Sequence, residues 1–330
     1  MIDTSSKEIH FAVEAARKAG LLAAKVQEEM VSPALTKDDR SPVTVADFAV
    51  QALIAQQLQT DFPEAVLVGE EDADALREPE ERETLDQVTH FIQGEIPDAN
   101  AETVADWIDH GGQDAGPRFW TLDPVDGTKG FLRGEQYAVA LAMIEDGLVQ
   151  IAVLGCPNLS NGSKMDIGGS GSLILAVRGE GSWVRPLSGD GDFEPLQVSV
   201  QADRTRARLL RSAEAAHTNV GNLDLIAQHL GIGAEPVRMD SQAKYSVLAA
   251  GEGELLFRLI SPKAPDYREK IWDQAAGSLV VEEAGGKITD LDGKALNFKL
   301  GRMLLENRGV LASNGQLHDE ALEAIKAVGA

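Results

Sequence analysis

The sequence predicts an α+β first half and an α/β second half, in which packed helices and sheets form the protein. Near the N-terminus, apolar residues recur at helical spacing from Ile9 to Val26. Farther along, apolar segments are separated by short turns rich in glycine and acidic residues, which is typical of an antiparallel sheet. After about residue 195, strand-like and helix-like segments alternate, which indicates a layered α/β unit.

The first elements are two helices followed by two short strands. Ser5 and Glu8 predict a capping box at the start of the first helix. Thr44 and Asp47 predict a second capping box before the amphipathic segment FAVQALIAQQLQ. The apolar segment AVLVG predicts a buried strand that ends at Gly69, and FWTL predicts the next strand.

The rest of the first half combines a polar insertion with two hairpins. Residues 73–117 are acidic and weakly periodic, so we interpret them as an inserted helical excursion or lid rather than core. YAVALAMI and LVQIAVLG flank the turn 145–147, which predicts one hairpin. SLILAV and SWVRPL flank the turn 179–181 and predict a second hairpin.

In the second half, predicted strands alternate with predicted helices. The predicted strands are ARLLRS, PVRM, ELLFRLI and GVLAS. The predicted helices are LDLIAQHLG, SQAKYSVLAAG, WDQAAGSLVVEEAGG and LHDEALEAIKA. The polar stretch SGDGDFEP is a plausible junction, which gives an α+β domain over 1–195 and a smaller α/β domain over 196–330.

Composition restricts the class of protein. The 330 residues carry a net charge of −23, which argues against nucleic-acid and anionic-membrane surfaces as partners. The one cysteine, Cys156, cannot form an intrachain disulfide, and we interpret it as a packed strand-end residue. The N-terminal segment lacks a secretory pattern and no apolar run reaches about 20 residues, so we expect a cytoplasmic protein.

The segment WTLDPVDGTKGF carries the strongest signal for chemistry. Asp123 and Asp126 follow a strand and would repel each other unless a cation lay between them. Mg²⁺ prefers carboxylate and carbonyl oxygens, and the Val125 carbonyl is a natural third ligand. Gly127 and Thr128 could present backbone N–H groups to an anion. Taken alone, DPVDG fits a solvated acidic turn or a Ca²⁺ loop as well as it fits a Mg²⁺ site.

Four further acidic residues, at three places in the chain, have both a structural and a functional interpretation. Glu70 and Glu71 follow a strand in GEEDAD, where an acidic surface loop is the simpler explanation. Asp273 in KIWDQAAG could cap a helix or interact with its dipole. Asp47 could cap its own helix, or it could accept a proton from a hydroxyl such as that of Thr128 if the fold brings the two together.

These stretches together resemble a known family. GEED, WTLDPVDGTKGF and IWDQAAGSLVVEEAGG are similar to the three metal-site motifs of the inositol monophosphatase superfamily, which are lithium-sensitive, Mg²⁺-dependent phosphatases. SPVTVADFAVQ, DSQAKYSVLAAG and the FRL and YREKIWD segments resemble its 3′(2′),5′-bisphosphate nucleotidase branch. The resemblance runs from about Lys37 to Asn314. It implies a layered αβαβα sugar-phosphatase fold with the site between the two domains.

The resemblance also implies a role for individual residues. Two or three Mg²⁺ ions would be bound by the side chains of four acidic residues and one carbonyl: Glu70, Asp123, Val125, Asp126 and Asp273. Thr128 and Asp47 would form the dyad that activates water, and the amides of Gly127 and Thr128 would hold the scissile phosphate. The nucleotide contacts would be His217, Ser241, Lys244 and Arg258, of which His217 is the loosest match.

Several alternatives stay open at this point. Lys244 could be a solvated lysine and Arg258 a surface charge at a strand end. Gln274 replaces the histidine expected after the metal aspartate, and we expect it to tune activity rather than abolish it. The 73–117 segment matches the family poorly, which leaves any lid contacts open.

The implied reaction is removal of the 3′-phosphate from adenosine 3′,5′-bisphosphate by metal-activated water, with its 3′-phosphosulfate relative as a further substrate. The resemblance also implies inhibition by Li⁺, with Na⁺ as a further candidate inhibitor. A phosphatase acting on inositol phosphates, including inositol 1,4-bisphosphate, is the alternative within the same fold. A catalytically silent regulator that binds metal or nucleotide is the alternative of another class, and its expected signature is the loss of a metal carboxylate or of the Thr–Asp dyad.

Overall fold

The computed structural model of the chain describes residues 2–30, 35–36, 42–43, 45–212 and 220–330. The helices in this part of the chain are α1 (Lys7–Glu29), α2 (Val45–Asp61), α3 (Arg82–Gln93), α4 (Ala101–Asp109), α5 (Thr128–Leu132), α6 (Val220–Leu230), α7 (Ala243–Ala249), α8 (Ala275–Glu283) and α9 (His318–Val328). Short 3₁₀ turns lie at Ala75–Arg77, Pro79–Glu81 and Arg204–Arg206.

The strands of the same ranges belong to two large sheets and two small ribbons. The large sheets contain β3 (Leu67–Gly69), β4 (Arg118–Asp126), β5 (Ala138–Glu145), β6 (Leu148–Cys156), β9 (Ser172–Val177), β10 (Gly181–Pro186), β11 (Glu194–Leu196), β12 (Leu209–Arg211), β13 (Val237–Arg238), β14 (Leu255–Arg258), β15 (Lys287–Thr289) and β16 (Val310–Ser313). The ribbons pair β1 (Leu35–Thr36) with β2 (Pro42–Val43), and β7 (Leu159–Ser160) with β8 (Lys164–Met165).

The first layer consists of α1 and α2, with α3 and α4 packed onto α2. The N-cap of α1 is Ser6, whose side chain accepts a hydrogen bond from the Ile9 N–H at 3.2 Å. The predicted cap at Ser5 is therefore wrong by one residue, because Ser5 donates its own N–H to the Asp3 side chain. In the second predicted capping box, Thr44 lies outside the described residues.

The 73–117 segment contributes to the core, so the prediction that it stands outside the core is wrong. Its helices α3 and α4 bury apolar residues at helical spacing, among them Phe91, Ile92, Val104 and Ile108. These side chains join the same apolar cluster as α1 and α2. The periodic stripe is short and lies within a strongly acidic segment, which is why the sequence pattern underestimates it.

In the described ranges, the first sheet has seven strands in the order β11-β10-β9-β6-β5-β4-β3, antiparallel except for the β3–β4 pair. Both predicted hairpins are confirmed. At the β5–β6 turn, Asp146 and Gly147 have positive φ values of 51° and 78°, as a tight two-residue hairpin turn requires. The second hairpin joins β9 to β10.

The second sheet follows the order β13-β12-β14-β16-β15 and mixes parallel with antiparallel pairs. Its predicted strands and helices are present, and β15 is a strand that the sequence pattern did not predict. Helix α8 contacts strands of both large sheets and α7 packs against α8 and β14, whereas α6 and α9 pack together on the outer side. The described residues thus form five layers, which confirms the expected αβαβα fold.

The apolar core of the described ranges divides along these layers. One cluster lies between the first helices and the first sheet, one surrounds α7 and α8 between the sheets, and one lies under α6 and α9. Because the middle cluster takes residues from both halves, the division at residue 195 stays a prediction. No helix in the described ranges combines the length and apolarity needed to cross a membrane.

Candidate functional site

A bulge at the end of β4 places the two aspartates of DPVD on one face of the sheet. Asp123 pairs with Ala140 and Asp126 pairs with Ala138, so three steps on β4 oppose two on β5. Regular strand residues three apart face opposite sides, but one extra residue brings them to the same side. Pro124 lies within the bulge, where its missing N–H is tolerated.

Three other carboxylates converge on Asp123 from different elements. Glu70 follows β3, whose parallel pairing with β4 continues in a hydrogen bond from the Glu70 N–H to the Leu122 carbonyl at 3.2 Å. Asp47 lies in the first turn of α2, and Asp273 lies just before α8. Burial raises the pKa of Asp123 well above its usual value, and the negative charges of Glu70, Asp126, Asp273 and Asp47 raise it further. The fold therefore brings acidic groups from four separate chain segments within electrostatic range of Asp123.

Cations lie at one side of this acidic cluster. Burial raises the pKa of Asp126, and the charges of Lys244 and Arg258 oppose that rise. Burial likewise raises the pKa of Asp273 to about 7, again opposed by Arg258. The Arg258 Nη2 lies 2.7 Å from Glu269 Oε2 and 3.7 Å from Asp273 Oδ2. Arg258 is thus ion-paired beside the cluster rather than a surface charge.

The donor set suits a hard cation. Asp123 is only 2 % exposed, and among the described residues its Oδ1 has no hydrogen-bond partner. A buried oxygen without a partner among like charges is stabilised by a metal ion. In the described part of the chain, however, no three histidine, cysteine or acidic side chains are grouped as a ready-formed metal site. The fit therefore rests on the type and charge of the donors and on the orphaned oxygen.

The predicted phosphate turn adjoins the predicted substrate residue Ser241. Gly127 has a φ of +91° and precedes the five-residue helix α5. A Cβ at Gly127 would lie 2.9 Å from the Ser241 Cβ, so the close approach favours glycine as strongly as the φ does. The Thr128 hydroxyl donates to the Val125 carbonyl at 3.3 Å. The direct Thr128–Asp47 contact of the dyad stays a prediction.

The remaining predicted substrate residues differ in their placement. Ser241 has a positive φ of 67° and its hydroxyl accepts from the Ala243 N–H. The Lys244 ammonium donates to the Ser241 carbonyl at 2.8 Å, and the residue is 6 % exposed, which excludes the solvated alternative. Burial lowers the pKa of Lys244 to about 8, and the charge of Asp126 opposes this. His217 lies outside the described residues.

Sequence reasoning assigned no site role to Gln242 or Glu269 and left the contacts of Gln274 open. The Gln242 N–H donates to Asp126 Oδ2 at 2.5 Å, and its side-chain amide donates to the Trp272 carbonyl at 2.9 Å. The Gln274 amide donates to Glu269 at 2.8 Å and accepts from the Tyr245 hydroxyl at 2.5 Å. These buried groups lie within DSQAKY, YREKIWD and IWDQAAGSLVVEEAGG, so these three motifs were the signal by which the sequence could have indicated them. Cys156 is buried as expected, and burial raises its pKa.

Comparison with known proteins gives a consistent result. Residues 5–330 match the inositol monophosphatase family. A 3′(2′),5′-bisphosphate nucleotidase of Emericella nidulans is 41% identical, with 98% of each chain covered. A protein of the same name from Schizosaccharomyces pombe is also 41% identical, covering 97% of this chain and 95% of the relative.

Solved structures agree in fold. The Thermotoga maritima IMPase superposes with a TM-score of 0.69 at 22% identity and covers 98% of both chains. The extragenic suppressor protein suhB of Bartonella henselae also gives 0.69, at 20% identity, covering 97% of this chain and 99% of the other. The chain therefore belongs to the inositol monophosphatase family, and by sequence it groups with the relatives named 3′(2′),5′-bisphosphate nucleotidase, as its motifs predict.

Proposed function

We propose that the protein is a metal-dependent phosphomonoesterase that removes the 3′-phosphate of adenosine 3′,5′-bisphosphate, and also that of its 3′-phosphosulfate relative. The observation that carries this proposal is the cluster of five acidic groups around the orphaned Asp123 Oδ1, flanked by two cationic side chains. The names of the full-length relatives support the nucleotide substrate. The chain is a phosphatase on the same grounds, so a silent regulator is not proposed.

In this proposal, two or three Mg²⁺ ions would be held by the side chains and carbonyl predicted from sequence, namely Glu70, Asp123, Val125, Asp126 and Asp273. Bound there, the metal would supply activation of water and stabilisation of the leaving alkoxide. The charge of the cluster supports this assignment, because burial together with mutual repulsion raises the pKa of Asp123 above its usual value. A divalent cation favours the ionised carboxylates and relieves that repulsion.

The protein's own groups would bind and orient the reacting phosphate. The amides of Gly127 and Thr128 would hold the phosphate, and the Thr128 hydroxyl would position the attacking water while Asp47 accepts its proton. The burial of Asp47 near Asp123 supports this role, because its charge contributes to the same acidic cluster. No covalent intermediate is needed.

Substrate choice would depend on residues beside the cluster. Ser241, Lys244 and Arg258 would contact the nucleotide, together with His217. Lys244 and Arg258 already interact with Asp126 in the free protein, so they would also balance the charge of the reacting phosphate. Inhibition by Li⁺, and by Na⁺, belongs to the same proposal, as does a cytoplasmic location.

An inositol phosphate phosphatase is the second candidate, because the structural neighbours include an IMPase of the same fold. Phosphate release should be measured on adenosine 3′,5′-bisphosphate, its 3′-phosphosulfate relative, inositol 1-phosphate and inositol 1,4-bisphosphate, with Mg²⁺ and with EDTA. We expect kcat/KM for the bisphosphate nucleotide to exceed that for inositol 1-phosphate at least about tenfold, since remote contacts supply binding energy. Equal efficiency on both would favour the inositol phosphatase, and full activity in EDTA would contradict the metal site.

A further inference from the structure

Arg302 connects the two chain segments that carry Glu70 and Asp273. Its Nη2 donates to the Gly69 carbonyl at 2.5 Å, and its Nη1 donates to the Gly111 carbonyl at 3.3 Å. The guanidinium carbon lies 4.8 Å from the centre of the Trp272 ring. Because Gly69 and Trp272 each directly precede an acidic residue of the site, one side chain contacts both segments.

The backbone of Arg302 is fixed to the Asp273 side of this junction. The Ile271 N–H donates to the Arg302 carbonyl at 3.2 Å, and the Leu304 N–H donates to the Glu269 carbonyl at 2.9 Å. The segment 302–304 therefore runs alongside 269–271, just before the Asp273 position. From this anchor the side chain extends to the end of β3 in the first sheet.

No local chain connectivity sets the distance between these two carboxylates. Glu70 follows a strand of the first sheet, whereas Asp273 precedes a helix packed between the sheets. The negative charges of both raise the pKa of Asp123, which lies between their two chain segments in sequence. Arg302 supplies a contact that spans the two segments.

The geometry at Arg302 uses features that only arginine supplies. Its planar fork reaches two carbonyls that are 42 residues apart in the chain, while its face stacks on an indole. Lysine carries the same charge, but its three N–H groups radiate from one nitrogen and it has no planar face, so it cannot reproduce both contacts and the stacking. The charges of Asp114, Asp72 and Glu70 favour the cationic form of Arg302 and oppose the effect of burial on its pKa.

We infer that Arg302 is a positioning residue that fixes Glu70 relative to Asp273 and thereby sets the affinity of the site for a divalent cation. This inference rests on the proposed function, since the same carboxylates would hold the metal. Arg302 itself would touch neither metal nor substrate. Loss of groups that orient metal ligands typically weakens metal affinity by about 10- to 100-fold.

The test is Mg²⁺ binding by isothermal titration calorimetry on EDTA-treated full-length protein. Arg302→Ala should weaken Mg²⁺ binding at least about tenfold, and Arg302→Lys should weaken it by at least about threefold. Lys270→Ala is the matched control, because its ammonium lies 5.6 Å from the same Trp272 ring. It should leave the Mg²⁺ affinity within about twofold of the wild type, with circular dichroism confirming the fold of each variant.

The outcomes separate the two levels of inference. If the wild type binds no Mg²⁺, the proposed function fails and this inference fails with it. If the wild type binds Mg²⁺ and Arg302→Ala binds it equally well, the positioning role is wrong while the proposed function stands. If Arg302→Ala does not fold, Arg302→Lys decides alone, and a wild-type affinity in that variant overturns the inference. Equal weakening by Lys270→Ala would also overturn it, since any cation on Trp272 would then matter.

Discussion

Replacing Asp273 with asparagine should stabilise the metal-free protein, increasingly so as the pH rises. Burial raises the pKa of Asp273 from its ordinary 3.8 to about 7. The positive charge of Arg258 opposes this rise, and the negative charges of Glu269 and Asp126 add to it. Between these values, the folded protein holds a proton on Asp273 that the unfolded chain has released. The unfolded state therefore binds fewer protons, and the free energy of unfolding falls as pH rises from about 4 to about 7.

The size of the effect follows from the shift. One pKa unit corresponds to about 1.36 kcal/mol, so the full penalty on the ionised wild type approaches about 4 kcal/mol above pH 7. Roughly 2 kcal/mol of it is already present at pH 5, which is more than one unit above the unfolded pKa. Because Asp273 is partly exposed, at 21%, and shares protons with its neighbours, we expect a smaller change. The stability advantage of Asp273→Asn should grow by ~1–3 kcal/mol between pH 5 and pH 8.

Urea denaturation in EDTA at pH 5, 6, 7 and 8, followed by circular dichroism, measures this difference directly. His318, whose pKa burial lowers to about 4, titrates in both proteins and cancels in the comparison. Asp266→Asn removes an exposed carboxylate from the preceding loop and serves as the matched control. An Asp273→Asn advantage that stays constant or shrinks from pH 5 to pH 8 would refute the reasoning. Saturating Mg²⁺ should reverse the order, because the ion stabilises only the protein with its full set of ligands.

Three further predictions concern Mg²⁺-dependent phosphate release. Asp123→Asn should keep less than about a tenth of the wild-type kcat, a barrier increase above ~1.4 kcal/mol, while circular dichroism stays unchanged; more activity would contradict the ligand role. Thr128→Val and Asp47→Asn should each lower kcat strongly, and the double variant should be little worse than either, because groups acting as one unit are non-additive. Additive losses of kcat, or only a small loss in Asp47→Asn, would indicate that Asp47 acts as a helix cap and not in the dyad. Arg258→Ala should lower kcat/KM for the bisphosphate nucleotide by about ten- to hundredfold and that for inositol 1-phosphate far less; equal losses on both would count against the nucleotidase.

The sequence predicts the architecture well where one local pattern dominates. The hairpins around Gly147 and Gly179 carry turn residues between apolar strands, and the structure has both. The alternation in the second half likewise predicts its helices and most of its strands. Where two signals compete, as in the acidic segment 73–117, the charge hides a short apolar stripe and the interpretation fails. β15 is missed because its three residues include a single apolar side chain, that of Ile288, which gives no strand-like pattern.

The site was predictable as a set of residue types but not as a network. The motifs name the carboxylates, and the positions after strands suggest that they converge. The contacts that hold them join residues far apart in the chain, such as Gln242 with Asp126 and Arg302 with Gly69, separated by 116 and 233 positions. Local periodicity carries no information about such pairs. Only the folded layers bring these pairs of groups into contact.

The two predicted nucleotide cations have a second role that the sequence pattern could not reveal. Lys244 is buried against the Ser241 carbonyl and Arg258 is paired with Glu269, so each is already held in the free protein. Both favour the ionised form of Asp126 in a chain of net charge −23. Truncating either side chain therefore removes charge balance from the acidic cluster as well as the proposed substrate contact. For this reason the ratio of activities on a nucleotide and a small monophosphate, rather than the loss on one substrate, is the quantity that reports recognition.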